Sequence, residues 1–329
     1  MTVLRTGSRT ILALVASLLL PMMSAAAQDY PNRAIRVIVP YPAGGPVDTL
    51  ARALGDSFGK RNGQGFIVES RPGANTSLGA MACKTSDPDG YTICLLASTT
   101  LSINPFLYSD LRYTSADLAP ITNIGASRAV LMLHNSVPAK NLAELVEWSK
   151  KNPEKMNYGS FGVGGETHLM MEWLKNKTGA QVTHVPFQGF APALVAFERG
   201  DIQIMVPVSI PPIIDRINNG QAKGIMILSD GRNDNLPAVP STIELGLPPI
   251  GFQTWFGMFA PAGTPKDRID KMNRELRAIV ADKDFSQKFL VGAGLMPVTN
   301  SPEEFKAFLV EDYVKAGELV KVSGVKLTP

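Results

Sequence analysis

Residues 35–60 read IRVIVPYPAGGPVDTLARALGDSFGK and predict a strand, a glycine turn and a helix in direct succession. The stretch 35–39 is apolar and rich in β-branched residues, as strands are. The turn contains Gly44 and Gly45, and Pro46 suits the first helical position, where a missing N–H costs nothing. Because a helix start presents free N–H groups and a partial positive charge, this junction favours an anion-binding site.

A second junction of the same kind follows later in the chain. Residues 156–160 form a strand end, residues 161–165 read FGVGG, and Glu166 opens a helical segment. Either the glycines serve only the geometry of each turn, or the two turns are two jaws that close on one anionic ligand. Neither turn has the spacing of a phosphate loop or of the dinucleotide fingerprint.

The whole chain alternates apolar stretches of strand length with longer segments of helical period, which predicts an α/β fold. We expect two lobes, each a mainly parallel sheet flanked by helices. No linker separates them, so one lobe is expected to be inserted in the other. The predicted boundaries are residues 28–125 plus 251–329 for lobe 1 and residues 126–250 for lobe 2.

The N-terminus has the order of a secretory signal peptide. Arg5 and Arg9 precede an apolar run at 11–20, which is followed by small residues at 24–27. The run of about 10 residues is too short to span a bilayer, which takes roughly 20. Cleavage after residue 27 changes the net charge from +3 to +1. We therefore expect a soluble protein outside the cytoplasm, with no nucleic acid or anionic membrane as partner.

Cysteines and histidines are few. Cys83 and Cys94 either form a disulfide, which the expected compartment permits, or fill a core as small apolar residues. The three histidines are well separated in sequence and offer no metal-ligand cluster. No metal and no cofactor is expected.

Motifs along the mature chain resemble the periplasmic solute receptors of tripartite tricarboxylate transporters, also called the Bug family. They are YPNRAIRVIVPYPAGG at 30–45 with Asp48, ESRPGA at 69–74, DPDGYT at 87–92, NPFLY at 104–108, the turn at 158–169, HVPFQG at 184–189 with APA at 191–193, and WFGMFAPAGTP at 255–265.

The resemblance implies a periplasmic-binding-protein-like (venus flytrap) fold that captures a small carboxylate without chemistry and delivers it to membrane permease subunits. The ligand classes are a di- or tricarboxylate, an aromatic acid or an amino acid. The location implied is the periplasm, and the expected state is a monomer with no catalytic residues. The resemblance also implies that one ligand carboxylate sits between the glycine turns. The corresponding ligand-binding residues are Tyr41, Ala43, Gly44, Gly45, Asp48, Ser98, Thr99, Asn104, Ser160, Gly162, Gly164, Gly165 and His168.

Departures from the family pattern bear on the ligand. Glu166 stands where Ser or Thr is common, and it either favours the helix dipole or faces the cleft and disfavours a second ligand carboxylate. Asp48 either caps its turn or faces the ligand. Phe187 and Ser209 are added as candidate ligand contacts, because the segment after residue 206 lacks the family's polar pair and predicts an apolar distal pocket. His168 is expected to be a structural donor.

Two other functions compete with transport. An extracytoplasmic sensor would present the same bound carboxylate to a signalling membrane protein. A secreted hydrolase would need a nucleophile beside a base, and the sequence offers only Ser160 with His168 on one turn, with Glu166 as the nearest acid.

Overall fold

The computed structural model describes residues 30–325. The predicted signal peptide lies outside them. Contacts divide the chain into a unit ending at Asn32 and a compact unit that begins at Arg33. All the strands and helices described below belong to the second unit.

Strands and helices alternate along this unit. The strands are β1 (Ile35–Val39), β2 (Phe66–Ser70), β3 (Thr92–Ala97), β4 (Leu118–Ser127), β5 (Ala129–Leu133), β6 (Asn157–Ser160), β7 (Thr183–Pro186), β8 (Ile204–Met205), β9 (Lys223–Leu228), β10 (Thr254–Pro261) and β11 (Leu295–Pro297). The helices are α1 (Pro46–Asn62), α2 (Ser77–Lys84), α3 (Asn104–Leu107), α4 (Leu142–Lys151), α5 (Glu166–Thr178), α6 (Phe190–Arg199), α7 (Pro211–Asn218), α8 (Lys266–Ala281), α9 (Lys283–Phe285) and α10 (Pro302–Ser323).

The strands form two sheets, as a two-lobed fold requires. The first is six-stranded with the order β11-β4-β10-β3-β1-β2, and the second is five-stranded with the order β7-β6-β8-β5-β9. Chain connectivity places the second sheet as an insertion, because β4 ends at Ser127 and β5 begins at Ala129, while β10 returns to the first sheet at Thr254. The exact lobe boundaries stay a prediction.

The predicted two-lobed α/β fold is confirmed: both sheets are mixed, but four strands of each run in the same direction. In the first sheet β1 is parallel to β2 and β3, but β10 runs antiparallel to β3 and β4. In the second, β6 is parallel to β7 and β8, but β5 is antiparallel to β8 and β9. The pattern missed β4 because Pro120, Thr122 and Asn123 interrupt its apolar run.

Each sheet has its own packed core. Around the first sheet, Ile38, Leu96, Trp255 and Phe305 belong to one buried cluster. The C-terminal helix α10 extends from there to the second lobe, where Ala316 and other residues of its last turns join a cluster with buried side chains of α5. The final helix therefore packs against both lobes.

Cys83 of α2 and Cys94 of β3 form a disulfide with Cα atoms 6.1 Å apart. Both are fully buried in the first lobe's core. The two alternatives for these cysteines are thus realised together, since the bridge is also core packing.

Candidate functional site: two glycine turns and an interlobe carboxylate

The first turn joins β1 to α1 as the sequence predicts. Gly45 is the N-cap residue of α1 with extended backbone and no side-chain cap, and Pro46 occupies the first helical position. Gly44 has φ +77°, a conformation that favours glycine, and a Cβ there would meet open space. Ala43 and Gly44 are exposed. The turn therefore leaves its backbone open to approach.

Asp48 belongs to the scaffold of this turn. It is buried, and its carboxylate accepts from the Gly44 N–H at 3.0 Å and from the Arg52 guanidinium at 2.8 and 3.1 Å. The hydrogen bond from Arg52 is the main reason that the pKa of Asp48 lies below its ordinary value. Asp48 therefore caps its turn, and its contact with a ligand stays a prediction.

The second turn repeats this design between β6 and α5. Gly165 is the N-cap residue of α5, again extended and without a side-chain cap. Gly162 and Gly164 have φ of +143° and +74°. The two predicted junctions are thus built in the same way, one in each lobe.

Three stacked aromatic rings lie next to the second turn. The Gly164 N–H donates to Nδ1 of His168 at 3.0 Å, so the expectation that His168 is a donor is wrong for this bond. The ring of His168 stacks on that of His184 with centroids 3.9 Å apart, and the ring of Tyr158 stacks on His184 at 4.8 Å and lies 6.5 Å from His168. Burial lowers the pKa of both histidines, to about 4 for His184, where the neighbouring His168 adds to the shift.

Ser160 faces His184 rather than His168. Its Oγ lies 2.6 Å from Nε2 of His184 and is buried. Among residues 30–325, no carboxylate hydrogen-bonds to the other ring nitrogen of His184, so the pair lacks the orienting acid of a catalytic triad. His184 was not predicted as a site residue, although it lies in the motif at 184–189.

Glu166 reaches across to the other lobe. Its Oε1 accepts hydrogen bonds from Ser98 Oγ at 2.5 Å and Thr99 Oγ1 at 2.9 Å, and its Oε2 accepts one from Thr254 Oγ1. Ser98 follows β3, Thr99 begins a π-helical turn at 99–103, and Thr254 begins β10. Glu166 therefore starts helix α5 and also bonds to the other lobe, while its effect on a second ligand carboxylate stays a prediction.

Tyr41 of the first turn lies within the electrostatic reach of Glu166. Burial raises the pKa of Tyr41, and the charge of Glu166 raises it further. The Tyr41 ring also meets Phe256 of β10 edge-on, with centroids 6.3 Å apart. The two glycine turns are thus brought to the same region between the sheets.

A buried acid that the sequence analysis did not single out lies behind the hydroxyl residues. Asp312 of α10 accepts from Ser102 Oγ at 2.5 Å and from the indole N–H of Trp255 at 2.7 Å. Burial is the main cause that raises the pKa of Asp312 to about 6, and the charge of Glu166 contributes. An Asp in a helix rich in charged residues gives no sequence signal of this role.

Other predicted ligand contacts have internal partners. The side chain of Asn104 is fully buried and bonds to Asn75 and Tyr113, with its Nδ2 2.7 Å from the Asn75 carbonyl oxygen. Ser209 is buried and donates to the Arg128 carbonyl oxygen at 2.9 Å. A ligand contact by either residue stays a prediction.

Phe187 lies over the second sheet. Its ring is half-buried, and a Cβ on Gly159 would lie 3.3 Å from it. Phe161 and Phe190 meet edge-on nearby in the same packed group, with centroids 5.6 Å apart. These rings pack against the core of the second lobe, and the apolar distal pocket with its ligand contact remains a prediction.

Two features are absent from residues 30–325. In that part of the chain no cluster of three His, Cys, Asp or Glu side chains could hold a metal ion. None of its helices combines the length and apolarity needed to cross a membrane.

Two mixed sheets with paired glycine turns define a periplasmic-binding-protein-like fold. The family model described as "Tripartite tricarboxylate transporter family receptor" matches residues 50–325. The chain is 32% identical to a UPF0065 protein of Bordetella pertussis, over 94% of this chain and 95% of that one. It is 30% identical to Protein BugT of the same organism, over 92% of each chain. The chain thus belongs to the tripartite tricarboxylate transporter receptor family, which includes the Bug proteins.

Solved structures agree with this assignment. The periplasmic binding protein BugD is 30% identical and superposes with a TM-score of 0.77, covering 91% of this chain and all of that one. The Rhodopseudomonas palustris protein Rpa4515, solved with adipate, is 26% identical with a TM-score of 0.81 and the same coverage. MatC of Rhodopseudomonas palustris, solved with bound malate, is 26% identical with a TM-score of 0.77, covering 88% of this chain and all of that one.

Proposed function

We propose that this protein is a periplasmic receptor that binds a small carboxylate between its two glycine turns and passes it to a membrane permease. The observation that carries the proposal is the pairing of Gly45 and Gly165. Each starts a helix without a side-chain cap, directly after a strand, one in each lobe.

Physical chemistry favours an anion at this place. The first N–H groups of a helix have no partner within the helix, and the helix dipole adds partial positive charge there. Two such helix starts that approach from opposite lobes can bind one carboxylate with backbone donors alone. A ligand that touches both lobes stabilises the closed arrangement, because those contacts exist only there.

Binding without turnover is part of the proposal. Ser160 is buried, and its partner His184 has no orienting carboxylate in the described chain. The family model that matches the chain describes receptors, and BugD is a periplasmic binding protein. Delivery to permease subunits is inferred from the family to which the chain belongs, and the periplasmic location from the predicted signal peptide.

The ligand can be identified directly. The protein is purified under native conditions, and mass spectrometry of the intact protein is compared before and after denaturation to detect a copurified acid. Ligand-stripped, refolded protein is then titrated calorimetrically with aliphatic dicarboxylates, aromatic acids and amino acids. We expect at least one carboxylate to bind in the micromolar range or tighter. Absence of any copurified acid together with no heat of binding across the panel would overturn the proposal.

An uptake experiment in cells distinguishes transport from sensing. Deletion of the gene is expected to abolish uptake of the radiolabelled ligand, and a plasmid copy is expected to restore it. If uptake is unchanged but ligand-induced transcription is lost, the sensor alternative replaces the permease as destination.

A further inference from the structure

The three hydroxyl groups that hold Glu166 form a buried pocket of the first lobe. Ser98 is fully buried, and Thr99 and Thr254 are 8% and 9% exposed. The backbone N–H of Trp255 donates to Ser98 Oγ at 3.4 Å. The hydroxyl proton of Ser98 is therefore free to point at Glu166. We call Ser98, Thr99 and Thr254 the hydroxyl pocket.

The hydroxyl pocket suits a carboxylate. An ionised carboxylate has only acceptor sites, about four lone-pair positions on two oxygens, and it pairs well with several O–H donors. Here two donors bind Oε1 and the third binds Oε2 of Glu166, so both oxygens are held. The occupant comes from the opposite lobe and belongs to the chain itself.

No cation balances this carboxylate in the part of the chain that the structure describes. The ion pairs of residues 33–325 do not include Glu166, whereas the buried Asp48 is paired with Arg52. The negative field of Glu166 reaches Tyr41 of the first glycine turn and Asp312 behind the pocket. A second negative group on a ligand would thus meet both an occupied pocket and an unneutralised like charge.

We propose that Glu166 fills from within the chain a pocket that can bind a carboxylate, and thereby restricts this receptor to ligands with a single carboxylate. The inference rests on the proposed function, since it concerns the part of the ligand that lies beyond the glycine turns. The remainder of the ligand is neutral or carries an ammonium group, which the charge of Glu166 would attract.

The test compares acids that differ only in the second carboxylate. Calorimetry on ligand-stripped protein measures hexanoate against adipate and benzoate against terephthalate, for the wild type and Glu166→Ser. We expect the wild type to bind the monocarboxylate at least tenfold more tightly than the matched dicarboxylate. In Glu166→Ser the dicarboxylate should gain at least tenfold in affinity, while the monocarboxylate changes less than threefold.

Two further variants keep the result interpretable. Glu303→Ser removes an acid from the first turn of α10, where the side chain is 71% exposed, and it should leave every affinity unchanged. Adding Thr254→Val to Glu166→Ser removes one hydroxyl donor from the hydroxyl pocket with little change in shape. The double variant should lose most of the dicarboxylate affinity that Glu166→Ser gains. If Glu166→Ser does not fold, as judged by circular dichroism, Glu166→Gln takes its place, because it removes the charge at constant size. This variant should still narrow the difference in affinity between monocarboxylates and dicarboxylates.

The outcomes distinguish a failure of the role assigned to Glu166 from a failure of the receptor function. If the wild type binds a carboxylate but prefers the dicarboxylate, or if its ranking is the same in Glu166→Ser, the role assigned to Glu166 is wrong while the receptor function stands. If neither the wild type nor any variant binds an acid of this panel or of the broader one, the receptor function fails and this inference fails with it.

Discussion

The backbone N–H of Gly164 donates to Nδ1 of His168 across 3.0 Å, so the second glycine turn is held in shape by a neutral imidazole ring. Nδ1 must be unprotonated to accept this bond, which leaves the ring proton on Nε2. His168 is buried and stacked on His184, so its ring cannot take up a proton without breaking the bond to the turn.

Carboxylate binding should therefore weaken at acidic pH. Burial lowers the pKa of both rings, to about 4 for His184, whereas an unfolded histidine titrates near its ordinary value of 6.5. Because unfolded histidines take up protons first, the stability that these two rings contribute should fall as the pH falls from about 6.5 towards 4. Affinity measured by calorimetry should be constant between pH 8 and about 6 and should decrease below that range.

Substitutions at His168 separate this effect from titration of the ligand. His168→Ala leaves the buried N–H of Gly164 without its partner, which costs about 1–3 kcal/mol and should weaken binding at pH 7.5 by about tenfold. His168→Asn supplies a carbonyl oxygen that does not titrate, so its pH profile should retain only the ligand's own protonation. A profile identical to that of the wild type would contradict the role of His168.

Gly44 and Gly63 provide a matched pair for testing the first turn. Their φ angles are +77° and +75°, and a Cβ at either position meets open space, but Gly44 lies in the turn and Gly63 at the far end of α1. Changing either to Ala should cost about 1–2 kcal/mol of stability, because an L-residue is strained at this φ. Only Gly44→Ala should reduce carboxylate affinity, as measured by calorimetry. Equal affinities in both variants would show that the first turn does not contact the ligand.

Asp312 should make the protein less stable at neutral than at mildly acidic pH. Its pKa is raised to about 6, mainly by burial and also by the charge of Glu166, while Lys315 opposes the shift. Since the unfolded carboxyl ionises near pH 3.9 and the folded one near 6, the contribution of Asp312 to stability should decrease as the pH rises through that window, by about 2–3 kcal/mol, opposite in sign to that of the histidines. Asp312→Asn keeps an acceptor for Ser102 and Trp255 without the charge. Urea unfolding should show that this variant is more stable than the wild type at pH 7.5 and equally stable at pH 4, and a parallel pH dependence in both would refute the assignment.

The disulfide between Cys83 and Cys94 should stabilise the first lobe without affecting the site. It closes a loop with a sequence separation of 11, for which about 2–3 kcal/mol is expected. Urea unfolding of the wild type with and without dithiothreitol should differ by that amount. Ligand affinity of folded Cys83→Ala/Cys94→Ala protein should match that of the wild type. An unchanged unfolding midpoint under reducing conditions would contradict the prediction.

Several features of the site followed from local sequence alone. The turns at 40–45 and 161–165 were predicted because glycine, proline and the strand before them act within a few residues of each other. The cap formed by Asp48 was one of two open alternatives, since a residue four positions after Gly44 can reach back to its N–H. The two-lobed α/β architecture followed in the same way from the alternation of apolar runs.

What the sequence could not predict depends on contacts between distant segments. Glu166 meets Ser98 and Thr254, which are 68 and 88 residues away, and Asp312 meets Trp255 across 57 residues. The partnership of Ser160 with His184 required the parallel pairing of β6 with β7. The sequence determined where each lobe presents its helix starts, because glycine geometry and helix caps are local. Only the tertiary structure decided which carboxylate occupies the hydroxyl pocket and which ring supports each turn, because those choices are made by strands and helices that meet only once the chain has folded.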